Sequence, residues 1–134
     1  MSFTPKVGLI SCSGEACSGG NISRAATLEV LHHLKPGETV TICLPLFLAG
    51  DKSEREFARH FPTVTIDGCN KLCAAKGTAK YSSEPAVKIN LEDYAGTACT
   101  NSNERWKIHE SANIVAKIAK DIAEHVDLLR EKWK

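Results

Sequence analysis

At 134 residues the chain has the length of one domain able to bury a sizeable core, so residues 1–134 read as a single unit. Its 17 basic and 16 acidic side chains leave a net charge of +1, which argues against a nucleic-acid or acidic-membrane partner. No apolar run approaches the roughly 20 residues that span a bilayer, and Met1 to Lys6 leads into a strand without an apolar leader segment, so the sequence reads as cytoplasmic. In a reducing compartment six cysteines are the outlying feature, because they point to metal or thiol chemistry before structural disulfides.

Val7 to Ile10 is a near-continuous apolar run, the pattern of a strand covered on both faces. A loop of small residues follows, from Ser11 through Cys12 and Cys17 to Gly20. Asn21 or Ser23 is placed to cap a helix from Ile22 to Leu34, where Ile22, Ala25, Ala26, Leu28, Leu31 and Leu34 recur at helical spacing and Pro36-Gly37 ends it. Thr39 to Cys43 is a β-branched second strand. Leu44 to Gly50 is apolar and broken by Pro45, so it reads as a loop packed under the sheet edge. Asp51 or Ser53 caps a short helix through Phe61, which Pro62 closes. Thr63 to Asp67 is the third strand, and Gly68 permits a tight turn. A helix is expected from Asn70 to about Lys76, ended by Gly77. Ala86 to Leu91 is a fourth strand, and a polar loop then carries Cys99. From about Asn103 the spacing of Trp106, Ile114, Val115, Ile118, Ile122, Val126, Leu129 and Trp133 predicts one long helix facing the core. Alternating strands and helices imply a three-layer α/β domain. Its mainly parallel four-stranded sheet takes the flavodoxin- or Rossmann-like order 2-1-3-4, with a long C-terminal helix.

Ligands of such sheets bind outside the carboxyl ends of the strands, where the strand order switches. Order 2-1-3 puts Cys12 at the end of the middle strand, flanked by Cys43 and Cys69. Neighbouring strands lie about 4.8 Å apart, and a tetrahedral zinc site with bonds of about 2.3 Å holds its sulfurs roughly 3.8 Å apart. Small rotations close that gap. Cys73, four residues after Cys69, is expected on the same face of the starting helix, which puts a fourth ligand in reach. Helix N-termini at this edge are expected to lower the thiol pKa values and favour thiolates.

Cys12-Ser13-Gly14 after the first strand, Cys43 after the second, and Ile66-Asp67-Gly68-Cys69 with Cys73 resemble the DGC-domain family, a prokaryotic group described as zinc-binding. The likeness covers about the first three-quarters of the chain, since the final helix carries no motif of the family. It implies Cys12, Cys43, Cys69 and Cys73 as metal ligands and implies no reaction. Two departures stand out: Asn70 sits where many relatives have Pro, and Cys17 is additional to the four-cysteine pattern. Cys17 is either a further thiol of the site or an ordinary loop cysteine.

Rival readings of the same edge differ in chemistry. A thiol phosphatase or arsenate reductase of the low-molecular-weight type needs an Arg six residues after the nucleophile to clamp an oxyanion. Ser18 holds that position, Glu15 in the loop repels anions, and Arg24 lies farther along, inside the helix. Thiolates also bind iron–sulfur clusters or cycle as redox dithiols. A catalytic zinc site has an open position and usually His or carboxylate partners. Asp67 reads instead as a helix cap or turn residue, and His32, His33, His60, His109 and His125 have no ligand spacing with the cysteines. The expectation is therefore a zinc-binding protein with a binding, sensing or metal-handling role, leaning away from an enzyme. Its partners are a metal ion and either a protein or a small molecule.

Overall fold

A computed structural model describes residues 5–14, 18–94 and 112–132 of the chain. Strands β1 (Val7–Ser11), β2 (Thr39–Thr41), β3 (Thr63–Asp67) and β4 (Val87–Asn90) form one parallel sheet in the order β2-β1-β3-β4. Leu9 pairs with Thr41 on one side, and Ser11 pairs with Ile66 on the other. The expected sheet is thus the observed one. Helices α1 (Ser18–Glu29), α2 (Leu44–Leu48), α3 (Lys52–Arg55), α4 (Phe57–His60), α5 (Cys73–Tyr81) and α6 (Ala112–Lys132) complete the described elements, and α1 ends in a π-helical turn at Val30–Leu34.

Alternation along the strands divides the core. Val7 and Leu9 of β1 join Val64 and Ile66 of β3 against Ile22, Ala26 and Val30 of the first helix and Ile118, Ile122 and Val126 of α6. Ile10 faces the opposite layer, with Phe57 and Ala74. The rings of Phe57 and Phe61 lie 5.3 Å apart. Gly8 is required here, because a Cβ would stand 2.4 Å from the Phe57 ring. Lys35 meets Asp127 at 2.7 Å, and Arg130 pairs with Glu38, so α6 is tied to the turn before β2.

Several boundaries differ from the sequence expectation. α1 begins at Ser18 and not at Ile22, which draws Gly19 and Gly20 into its first turn. These poor helix formers are needed there: a Cβ on Gly19 would lie 2.3 Å from the Gly68 carbonyl oxygen, and one on Gly20 1.8 Å from that of Gly14. β2 stops at Thr41, so Cys43 lies beyond it as the residue before α2. The Leu44–Gly50 stretch is not a loop throughout, since Pro45 sits in the first turn of α2, where its missing N–H costs nothing. Asp51 caps α3 by accepting from Glu54 N–H at 3.0 Å, and the single helix expected through Phe61 is two short ones. α5 runs from Cys73 to Tyr81 and not from Asn70 to Lys76, with Gly77 inside it. β4 is shorter than Ala86–Leu91 by one residue at each end. The long helix is present as α6, while Asn103, Trp106 and Trp133 lie outside the described residues.

Candidate metal centre

Cys12 leaves β1 with its N–H still on the sheet, donating to the Ile66 carbonyl at 2.9 Å. Its Sγ accepts the Gly68 N–H at 3.2 Å and lies 3.5 Å from Ser23 Oγ. The Ser23 hydroxyl donates its own proton to the Gly20 carbonyl at 2.7 Å, so toward Cys12 it offers a lone pair. Backbone packing makes this approach possible. Gly68 and Gly19 touch main chain to main chain, and any side chain on either would force them apart. Ser13 is held in the left-handed region at φ 52°, with its hydroxyl bonded to Ser11 Oγ at 2.5 Å. A non-glycine residue in that region marks a backbone fixed by its surroundings.

The other three cysteines follow the neighbouring strands, Cys43 after β2 and Cys69 and Cys73 after β3. Cys43 is exposed, and its N–H donates to Glu54 Oε2 at 3.3 Å. Cys69 is half-buried in the turn that closes with Leu72 N–H donating to its carbonyl at 3.2 Å. Leu72 is left-handed at φ 55°. That twist starts α5 at Cys73, so Cys69 precedes the helix and the shared helical face expected for this pair is not what relates them. Asp67 is the cap the sequence suggested, though it acts from seven and eight residues away: its carboxylate accepts Ala74 N–H at 2.7 Å and Ala75 N–H at 3.1 Å. These amides of α5 are therefore committed to Asp67 and do not stabilise thiolates. Although Cys73 is an exposed residue, partial desolvation by the neighbouring chain and then the charges of Asp67, Cys12 and Cys69 push its thiol above the ordinary range, with Lys71 opposing. The expected lowering is reversed at this position. Burial likewise raises the Asp67 carboxyl, against the pull of its two amide bonds and of Lys76.

Two clefts meet at Cys12. One, of about 480 Å³, opens toward α1 and β2 and includes Cys43. The other, of about 160 Å³, opens toward α2 and α5 and includes Cys73. Cys69 lies within electrostatic reach of Cys73. Coulombic influence extends farther than a coordination bond, however, and among the described residues no three Cys, His, Asp or Glu side chains are drawn together at ligating distance. Glu15, Cys17 and Cys99 lie outside the described residues. Sequence spacing overlooked Ser23 and set Arg24 aside, yet Ser23 contacts the Cys12 sulfur and Arg24 lines the larger cleft. Starting the helix at Ser18 is what brings both to the edge. The signal for that start was the need for glycine at positions 19 and 20, visible only once Gly68 and Gly14 are in place.

The family model described as DGC domain matches residues 8–118, a span that includes every residue of both clefts. No curated protein and no solved structure matches the chain.

Proposed function

Since this chain belongs to the DGC-domain family, and four of its thiols follow the carboxyl ends of strands β1, β2 and β3, we propose that it binds a metal ion, zinc first, through Cys12, Cys43, Cys69 and Cys73. The observation that carries the reading is the position of Cys12, whose side chain borders the cleft of Cys43 and the cleft of Cys73 alike. The donor set fits a soft cation, because thiolates select zinc or an iron–sulfur cluster over hard ions. The Gly68 N–H on Cys12 Sγ is the kind of donor that offsets the negative charge of a metal thiolate. Bound zinc would supply a fixed positive charge that turns these thiols into thiolates. Closing the site draws the exposed Cys43 and Cys73 side chains inward, and their exposure supports a binding, sensing or metal-handling role over a buried structural one. A reducing cytoplasm belongs to the same proposal, because the ligands must remain thiols. No helix among the described residues is long and apolar enough to cross a membrane.

Metal analysis with a visible spectrum tests the proposal on the wild type and on Cys12→Ser, Cys43→Ser, Cys69→Ser and Cys73→Ser. The expected result is colourless zinc protein and a reduced metal complement in each variant. A full complement in all four variants overturns the ligand set. Visible absorption bleached by dithionite replaces zinc with an iron–sulfur cluster.

A further inference from the structure

The larger cleft has a composition of its own. Its volume of about 480 Å³ falls within the range of small-molecule sites. Arg24 is the one charged residue lining it among the described residues. Arg24 is exposed and makes no hydrogen bond or ion pair with another described residue. The hydroxyls lining the cleft are largely committed. Thr41 donates to the Leu9 carbonyl at 2.7 Å, and Thr27 donates to that of Ser23 at 2.8 Å. Ser11 and Ser13 bond to each other, which leaves one proton between them. Among the side-chain N–H and O–H donors of the described lining residues, those left uncommitted are thus Arg24 and a single hydroxyl. The cleft's apolar lining includes Leu28, one helical turn from Arg24, with Ile42 and Pro45.

We propose that this cleft binds a small amphipathic monocarboxylate, its carboxylate on Arg24 and its apolar body against Leu28, Ile42 and Pro45. Arg24 is the one charge among the described lining residues and so matches a single negative charge, and the planar guanidinium fork fits a carboxylate. A dianionic phosphate would need more donors than the cleft has free. The apolar wall selects a ligand with a hydrocarbon body over a bare anion. The binding needs no metal, although Cys12 and Cys43 border the same space.

Amide-shift titration of the ¹⁵N-labelled, reduced protein tests this, in chelator-treated and zinc-loaded forms. The probes are butyrate, hexanoate, phenylacetate and 3-phenylpropionate, each beside its neutral amide, with inorganic phosphate as control. At least one acid should give saturable shifts at Ser13, Arg24, Thr27 and Ile42, about tenfold tighter than its amide. Arg24→Gln should abolish that preference, and Leu28→Trp, which fills the cleft from an exposed helix position, should block the acid. The proposal is overturned if no acid gives saturable shifts at those residues. It is equally overturned if acid and amide bind alike, if phosphate binds more tightly than every acid, or if Arg24→Gln keeps the preference. Because the chelator-treated form is titrated too, a failed metal proposal shows in the zinc analysis and leaves this result readable.

Discussion

Asp67 is only 1 % exposed, so its carboxylate is worth having there only for the two α5 amides it receives. Asp67→Ala leaves both N–H groups buried without an acceptor and is expected to lower stability by about 1–3 kcal/mol in urea unfolding. Asp67→Asn keeps one acceptor oxygen and should cost less. Equal losses for the two variants would remove the capping role. Gly68 is constrained from the other side, with space for a Cβ only 2.4 Å from the Gly19 carbonyl carbon. Gly68→Ala should therefore cost about 1–3 kcal/mol by forcing the β1–α1 loop and the β3–α5 turn apart. It should also lower the zinc complement, since the Gly68 N–H on Cys12 moves with the turn. The places of Cys12 and Gly68 directly after β1 and β3 were legible because an apolar run marks each of those strands. Ser23 and Arg24 were not, because their proximity to Cys12 is set by glycine contacts between segments far apart in the chain.

Among the elements, α5 departs most from its sequence pattern. Gly77 looked like a stop signal, but it sits within the helix with nothing within 4 Å of where its Cβ would stand. The carbonyls that Gly77 was expected to terminate continue their bonds to Tyr81 because Ala74, Ala75 and Thr78 are buried against the sheet. Packing has overridden propensity. Gly77→Ala should therefore raise stability by about 1 kcal/mol, opposite in sign to Gly68→Ala, and no change or a loss in urea unfolding would contradict this. A second element-scale link joins the segment after β4 to α6: the Tyr94 hydroxyl donates to Asp121 Oδ2 at 2.7 Å. Burial, that hydrogen bond and the nearby Asp121 and Asp93 charges all raise the Tyr94 phenol above its ordinary value of 10.0. The folded chain then holds this proton more tightly than the unfolded one, so stability falls as pH rises above about 10. Tyr94→Phe should remove that part of the alkaline loss, read as a flatter stability profile from about pH 9 to 11 relative to wild type. Sheet order and the long helix were readable from alternation and periodicity. The starts of α1 and α5 were not, because both are fixed by tertiary contacts rather than by local cap residues.

For the molecule as a whole, the proposed metal joins segments that the sheet already brings together, so it should add stability to the folded state alone. Zinc at about 100 times its Kd would contribute about 2.7 kcal/mol. Chelation should lower the Tm of the wild type and leave that of Cys12→Ser much less affected; identical chelator shifts would place the metal elsewhere. The Gly68 N–H reaches Cys12 across 56 positions of sequence, and β1 pairs with both β2 and β3. This has a consequence for the order of events during synthesis. Cys12 and Cys43 leave the ribosome before β3 exists, and for that interval they are two thiols without the turn that cradles one of them. The growing chain thus passes through a stage of three available sulfurs, Cys17 among them, before Cys69 and Cys73 are present, and premature capture of metal or oxidant is a hazard of that stage. Completion of β3 ends it, because the same strand that centres the sheet also delivers Asp67, Gly68 and Cys69 to the edge.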